Sequence, residues 1–241
     1  MQELLVATRN KKKLEEIKDL LKDLLAFSKP VSRKSNIKTF SVQKKGPILT
    51  TSLILKKKRS INLKITSLAD YPNCPAIEED GKTFSANALK KAATIALYTK
   101  KLTLGEDSGL QVKALKNEPG IYSARFSGPS ATDEKNNAKL LKLLKSVPFK
   151  KRQARYRCCA ALVDGKKIVD VVSGSCSGFI SLKPKGKNGF GYDPLFFIPR
   201  YGKTFGELSS EVKSKISHRA RALTKFKTVL KSHLSRLPGS V

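Results

Sequence analysis

The order of apolar patterns along the 241-residue chain most constrains what it can fold into. The apolar run LLVA at 4–7 is typical of a short buried strand, and from Lys12 onward apolar residues recur at helical spacing over about 15 residues. Residues 61–68 resume a strand pattern, and residues 83–101 predict a helix with Ser85 as its N-cap. This alternation of strand and helix is typical of parallel βα units.

The second half of the chain adds antiparallel patterns. A turn around Gly105 is expected to lead into the alternating strand LQVKAL, and residues 131–147 predict a helix capped by Thr132. A long alternating segment turns at Asp164–Gly165, which predicts a β-hairpin, and residues 209–234 predict one long basic helix. Together the patterns predict an α/β fold with a twisted mixed β-sheet.

The charge is strongly biased, with 49 Lys and Arg against 19 Asp and Glu and a net charge of +30. Residues 28–60 contain no acid and few apolar residues, so we interpret them as a basic, flexible insertion within a single domain spanning 1–241. A positive chain attracts polyanions such as nucleotides, nucleic acid or anionic membranes, but a lysine-rich solvated surface explains the composition equally well.

Cysteine usage and the N-terminus indicate the compartment. The four cysteines form no C-x-x-C pair, and two of them are adjacent in an apolar run, as buried free thiols often are. The first ten residues do not resemble a signal peptide, and no segment approaches the roughly 20 apolar residues of a membrane span. We therefore expect a cytoplasmic protein that does not bind membranes.

The segment TRNKKK (8–13) lies where the first strand meets the first helix. Unpaired backbone N–H groups, the positive end of the helix dipole and Lys13 favour an anion there, and Thr8 and Asn10 can donate hydrogen bonds to phosphate or sugar. The segment lacks the glycines of a P-loop. The alternative is an ordinary capped helix with surface lysines.

Two acidic segments, EEDG (78–81) and GEDSG (105–109), flank glycines in the first half of the chain. Glu106 and Asp107 are adjacent and repel each other, so a divalent cation would offset that repulsion. One carboxylate from each segment would form a hard oxygen site for Mg²⁺. The alternative is that Asp107 and Ser108 cap a turn.

Two later segments could recognise a base. Glycines on both sides of Phe190 in GFGYDP (189–194) leave its ring free to stack on a base. In KSKISHRARAL (213–223) the adjacent His218 and Arg219 could donate to a purine carbonyl. The alternatives are a glycine turn with a core aromatic residue and one more patch of basic helix.

Five segments, in this order, resemble the family of nonstandard purine nucleoside triphosphate pyrophosphatases, also called inosine triphosphate or XTP/dITP diphosphatases. The segments are VATRNKKKLEEI, EEDGKTFSANALKKA, EDSGLQVKALKNEPGIYSARFSG, GFGYDPLFFIP and KTFGELSSEVKSKISHRARAL. The resemblance implies an elongated two-lobed α/β fold with helices flanking a long mixed sheet, a nucleotide cleft between the lobes, and a homodimer. It also implies Mg²⁺-dependent hydrolysis of ITP, dITP and XTP to the monophosphate and pyrophosphate.

The resemblance assigns roles position by position. Asp107 resembles the general base that activates the attacking water and helps to hold Mg²⁺, and Glu78 resembles the second metal carboxylate, with Glu79 as the alternative. The expected triphosphate contacts are Thr8, Asn10, Lys13 and Lys91, and Arg9, Lys11 and Lys12 are expected to bind the substrate as well. The residues expected to face the rest of the substrate are Ser108, Phe190, Gly191, Tyr192, Asp193, Lys213, His218 and Arg219.

The chain departs from the family pattern in three places. Glu106 replaces the usual Asp and would lengthen a carboxylate beside the expected metal, and Ala86 replaces a common Glu. The basic insertion at 28–60 is foreign to the pattern. The alternative function is therefore a basic nucleic-acid-binding protein on the same fold, with the insertion contributing nucleic-acid contacts.

Overall fold

The computed structural model describes residues 2–25 and 63–236 of the chain. The predicted basic insertion at 28–60 lies outside the described residues. Within them, no helix is long and apolar enough to cross a membrane.

The described residues form one seven-stranded sheet in the order β2-β1-β3-β4-β5-β6-β7. β1 pairs in parallel with β2 and β3, whereas every other neighbouring pair is antiparallel. The predicted mixed sheet is therefore confirmed. The strands are Gln2–Val6 (β1), Leu63–Ser67 (β2), Leu102–Val112 (β3), Gln153–Asp164 (β4), Lys167–Ile180 (β5), Phe196–Ile198 (β6) and Lys203–Thr204 (β7).

Five α-helices flank the sheet in the described part of the chain: Lys11–Leu25 (α1), Phe84–Thr99 (α2), Asp133–Leu143 (α3), Ser210–Ile216 (α4) and His218–Leu234 (α5). α1 and α5 pack on one face of β3 and β4, in a cluster that includes Ile17, Phe226 and Leu104. α2 packs on the opposite face, where Ala92 contacts a cluster containing Cys159. A separate apolar cluster joins α3 to β6 at the far end of the sheet.

Gly105 does not form the predicted turn, because β3 runs without interruption from Leu102 to Val112. A Cβ at Gly105 would overlap the backbone of Ala88 and Ala92 in α2. The glycine therefore serves close helix-to-strand packing rather than chain reversal.

Two of the predicted helix boundaries were wrong. The N-cap of α2 is Thr83, not Ser85, because the Thr83 hydroxyl accepts a hydrogen bond from the Ala86 N–H. The predicted long basic helix is two helices that meet at Ser217, whose side chain accepts from the Ala220 N–H and starts α5. The Thr132 cap of α3 and the β4–β5 hairpin are confirmed.

Candidate functional site

Asp107 faces α2, because alternate residues of a strand point to opposite faces of the sheet. Lys91 Nζ lies 3.5 Å from Asp107 Oδ1 and 2.7 Å from Glu79 Oε2, so one ammonium group joins two carboxylates. Asn87 Nδ2 donates to Asp107 Oδ2 over 3.2 Å. Burial raises the pKa of the Asp107 carboxyl, and the attraction of Lys91 only partly opposes this.

Glu106 faces the opposite side, toward α1 and α5. Its Oε1 accepts from Arg219 Nη2 over 3.1 Å and from the Cys158 thiol over 3.3 Å, while Lys13 Nζ lies 3.0 Å from Oε2 in an ion pair. Burial opposes ionisation of Glu106, but Lys13 and Arg219 together hold the pKa of its carboxyl well below the ordinary value. The nearest cations of the two adjacent carboxylates therefore differ: Lys13 and Arg219 lie at Glu106, whereas Lys91 lies at Asp107.

Arg219 is held on several sides at the start of α5. Besides Glu106, its guanidinium donates to Glu16 of α1 and, over 3.0 Å, to Ser108 Oγ. Glu16 also lies 3.3 Å from Lys213 Nζ, so α1, β3, α4 and α5 meet in one buried ionic network. These charge-assisted contacts fix the orientation of the guanidinium.

Asp193 organises the GFGYDP segment. Its Oδ2 accepts from the Phe190 backbone N–H over 2.9 Å and from Lys213 Nζ over 2.7 Å. The Phe190 ring remains partly exposed, with Lys213 Nζ 5.0 Å from its centroid and Arg219 Cζ 5.6 Å from it. Tyr192 is buried, and its hydroxyl donates to the Ser123 carbonyl over 2.8 Å.

His218 is buried beside this segment and stacks on Tyr156, with ring centroids 4.5 Å apart and an interplanar angle of 8°. Burial, reinforced by the positive charges of Arg219 and Lys213, lowers the pKa of its imidazole well below the ordinary value, so the ring is neutral. Its Nδ1 has no hydrogen-bond partner among the described residues. An unpaired buried ring nitrogen is unusual in a folded protein, and His218 lines the Phe190 cavity, so this position is a candidate for contact with a ligand.

Two adjoining cavities contain these groups. The Asp107 cavity measures about 300 Å³ and includes Glu79 and Lys91, and the Phe190 cavity measures about 230 Å³ and includes His218. Both are lined by Asn10, Lys13, Ser108 and Ala124, so the two cavities adjoin along a shared wall, and we refer to them together as the cleft.

Most of the predicted site residues line this cleft. The Asp107 cavity contains Thr8, Arg9, Asn10, Lys13, Lys91, Asp107 and Ser108. The Phe190 cavity contains Asn10, Lys13, Ser108, Phe190, Gly191, Tyr192, Asp193, Lys213, His218 and Arg219. Lys11, Lys12 and Glu78 are exposed and line neither cavity, whereas Glu79, the alternative to Glu78, does.

Sequence reasoning missed two residues of the site. Asn87 orients Asp107 and lies four residues before Lys91, on the same face of α2. Glu16 contacts Arg219 and Lys213 and lies three residues after Lys13 on α1. Helical spacing from the two predicted lysines was the signal that could have identified both.

The carboxylates of the Asp107 cavity fit a metal cation that takes most of its ligands from phosphate oxygens and water rather than from the protein. The described residues contain no cluster of three or more His, Cys, Asp or Glu side chains that could hold a metal ion. Asp107 and Glu79 nevertheless share a cavity and already share one cation, the Lys91 ammonium. Two carboxylates completed by phosphate oxygens and water are a typical arrangement for Mg²⁺.

Comparison with known proteins shows one consistent similarity. Residues 4–229 match the Ham1 family. The dITP/XTP pyrophosphatase of Desulforamulus reducens is 46% identical over 77% of this chain and 91% of its own length. That of Geobacter sulfurreducens is 44% identical over 97% of each chain.

Solved structures show the same similarity. A HAM1 protein from Coxiella burnetii superposes with a TM-score of 0.75 at 32% identity, over 96% of this chain and 100% of that one. The Ham1 protein of Staphylococcus aureus superposes with a TM-score of 0.73 at 30% identity and the same coverage.

Proposed function

This chain belongs to the Ham1 family, as the five sequence segments predicted, and we propose that it hydrolyses nonstandard purine nucleoside triphosphates. The substrates are dITP, ITP and XTP, and the products are the monophosphate and pyrophosphate. One observation carries the proposal: a single cleft has a carboxylate and ammonium groups at one end and an aromatic ring with a buried, unpaired histidine nitrogen at the other.

The Asp107 cavity would receive the triphosphate. Lys13 and Lys91 supply positive charge, and Thr8 and Asn10 supply hydrogen-bond donors at the same wall. Asp107 Oδ1 and Oδ2 are both oriented by neighbours, Lys91 and Asn87, which supports the proposal that this carboxylate accepts a proton from a water that attacks the α-phosphorus. Arg9 is held at the rim by a hydrogen bond from its guanidinium to the Cys74 carbonyl over 3.2 Å.

We propose Mg²⁺ as the cofactor, held by Asp107 and Glu79 rather than by Glu78. Glu79 lines the cavity and pairs with the same lysine as Asp107, whereas Glu78 is exposed. When bound, the ion would neutralise phosphate charge and polarise the scissile bond.

The Phe190 cavity would receive the base, with the Phe190 ring stacked on it. A neutral His218 with hydrogen on Nδ1 would donate to the 6-oxo group of hypoxanthine or xanthine. Adenine presents an amino donor at that position, so the buried nitrogen would stay unpaired at a cost of roughly 1–3 kcal/mol. Guanine shares the 6-oxo group, and its rejection would depend on contacts to its 2-amino group.

The assembly and domain organisation remain part of the proposal. The family resemblance supports a homodimer and a single domain spanning residues 1–241. Light scattering of the purified chain in solution measures the assembly directly, and a monomeric mass would contradict the dimer.

The test of the function is pyrophosphate release from dITP, XTP, ATP and GTP, each with Mg²⁺ and with EDTA. Fast turnover of dITP and XTP only, lost in EDTA, is the expected result. Equal turnover of ATP would contradict the role of His218, and absence of turnover on all four substrates would contradict the function. The His218→Phe variant, which keeps a ring on Tyr156, should lose the preference for dITP over ATP.

A further inference from the structure

A basic concavity lies at the edge of the sheet and shares no lining residue with the nucleotide cleft. It measures about 610 Å³ and lies between β4, β5 and α5. Half of its eight lining residues are cations, and the others are small: Arg155, Arg157, Arg221 and Lys225, with Ser173, Gly174, Ser175 and Thr224. Its lining includes no acidic, aromatic or large apolar side chain.

The four cations lack acidic partners. None of them forms an ion pair with any residue in the described part of the chain. By contrast, Lys13, Lys91 and Arg219 in the nucleotide cleft each have a carboxylate partner. The concavity therefore holds positive charge that no carboxylate in the described part of the chain pairs with, which favours attraction of an anion from solution.

The backbone of β5 adds hydrogen-bond donors to the positive charge of the concavity. Among the described strands, β5 has a second neighbour only at Phe179 and Ile180, so its earlier part is a sheet edge. Arg221 Nη1 donates to the Ser175 carbonyl over 2.8 Å and Lys225 Nζ to the Ser173 carbonyl over 2.9 Å. In an antiparallel strand the N–H and C=O of one residue point to the same side, so the N–H groups of Ser173 and Ser175 also point outward at this edge.

These contacts disfavour a β-strand as the partner of the edge. An added strand must donate to the carbonyls and accept from the N–H groups, but the two carbonyls already accept from Arg221 and Lys225. An anion needs only donors, and the edge still offers N–H groups, serine hydroxyls and cations.

The spacing suits an extended anion rather than a single phosphate. Arg155 and Arg157 lie two residues apart on one strand, which separates them by about 7 Å. Arg221 and Lys225 lie four residues apart on α5, about 6 Å along its axis. Two rows of cations of this length can each contact successive phosphates of a chain.

We propose that this concavity binds the phosphodiester backbone of single-stranded nucleic acid. Because the lining offers no aromatic ring on which a base could stack, the contacts are to phosphate, and binding does not depend on sequence. The proposal uses residues outside the nucleotide cleft and is independent of the proposed hydrolysis.

The experiment compares two charge-matched double variants of the full chain. Arg155→Gln with Lys225→Gln removes one cation from each row, and Lys142→Gln with Lys145→Gln removes the same charge from exposed positions that do not line the concavity. Fluorescence anisotropy with a labelled 20-nucleotide single-stranded DNA measures affinity from 0.05 to 0.3 M salt, about the range over which phosphate contacts weaken strongly. Thermal melting and dITP turnover, both expected to stay unchanged, are measured on the same samples.

The expected result is an affinity loss of about 20-fold at 0.1 M salt for Arg155→Gln with Lys225→Gln. Its salt slope should be shallower by about 1.4, because each lost phosphate contact contributes about 0.7 for a single strand. The control pair should show neither change. Equal behaviour of the two double variants, or no binding by the unmodified chain, would overturn the proposal.

Two further binding measurements test other anions that could occupy the concavity. Inorganic tripolyphosphate is expected to compete only weakly, because it cannot span both rows of cations. Micromolar competition by tripolyphosphate without oligonucleotide binding would assign the concavity to a small anion and overturn the proposal. Binding to phosphatidylserine vesicles in place of the oligonucleotide would overturn it as well.

Discussion

Glu106 and Asp107 are neighbours on β3, both are carboxylates, and both are 4% exposed, yet their environments differ. The Glu106 side of the strand brings Lys13 and Arg219 to one carboxylate. The Asp107 side brings Lys91, which is closer to Glu79 than to Asp107. Burial is the largest influence on both pKa values, but the pKa of Glu106 falls well below its ordinary value and that of Asp107 rises.

Because the two side chains are equally buried, the difference in their pKa values arises from counter-charge rather than from burial. Glu106 has its charge matched within the protein and holds Arg219 and Lys13 in place. Asp107 is under-compensated and lines an open cavity, so a cationic ligand can still stabilise its charge. Substitutions at Asp107, Glu106 and the Glu79–Glu78 pair test this contrast, Glu3 outside the site provides a comparison, and the expected effects decrease in that order.

Replacing Asp107 with Asn should have the largest effect, and it should fall on catalysis. The amide cannot accept a proton from water, so we expect turnover of dITP to fall by about 10²- to 10⁴-fold. Single-turnover pyrophosphate release measures the loss. The melting temperature should stay the same or rise slightly, because a charge is removed from a site where burial opposes it; retained turnover would contradict the assignment.

Replacing Glu106 with Gln should instead affect mainly stability. Lys13 and Arg219 would lose a buried carboxylate, and we expect the free energy of unfolding to fall by about 3 kcal/mol, although Glu16 still pairs with Arg219. Urea denaturation measures the change. Glu106→Asp, which keeps the charge, is the control and should lose less. An equal loss for both would show that side-chain length, not charge, is responsible.

Glu79 and Glu78 offer a test of which acidic neighbour supports Asp107. Glu79→Gln removes one partner of Lys91, and we expect turnover to fall about tenfold with a higher Mg²⁺ requirement. Glu78→Gln should leave both quantities unchanged, since the side chain is exposed and lines neither cavity. Steady-state rates across a Mg²⁺ titration distinguish the two, and a reversed pattern would restore Glu78 as the metal ligand.

Replacing Glu3, a carboxylate outside the site, should have the smallest effect, and it should fall on stability. Hydrogen bonds from Tyr71 and Lys101 lower its pKa from 4.5 to about 2. A carboxylate whose pKa is lower in the folded state than in the unfolded state stabilises the fold at pH values above the unfolded-state pKa. This contribution to stability is lost as the pH falls toward 2. Glu3→Gln should therefore cost about 1 kcal/mol at pH 7, after allowance for partial exposure, with the difference vanishing near pH 2. Urea denaturation at both pH values checks this, and a pH-independent difference would contradict it.

Local patterns predicted much of the fold, because they reflect local interactions. The Thr132 cap and the hairpin at Asp164–Gly165 depend on residues within a few positions of each other, and both are confirmed. The Gly105 turn was wrong because glycine serves turns and close packing alike, and only the position of α2 distinguishes the two. The break at Ser217 was missed because one serine both ends α4 and caps α5.

The same division between local patterns and contacts over long sequence separations applies to the candidate site. The motifs predicted most of the cleft residues, and helical spacing could have added Asn87 and Glu16. The partners of Arg219 could not be predicted from spacing, since Glu106 and Glu16 lie 113 and 203 residues away along the chain. Contacts over such separations exist only after the sheet brings α1 and α5 to the same face of β3.

The amino-acid sequence by itself determined the family, the mixed sheet and the residue types available for chemistry, because motif order and apolar periodicity are properties of the chain. Only the tertiary structure decided which carboxylate is fixed and which faces the cleft. Strand alternation points Glu106 and Asp107 to opposite faces of the sheet, and the helices packed on each face supply unequal positive charge. Sequence adjacency placed the two acids together, and folding separated their roles.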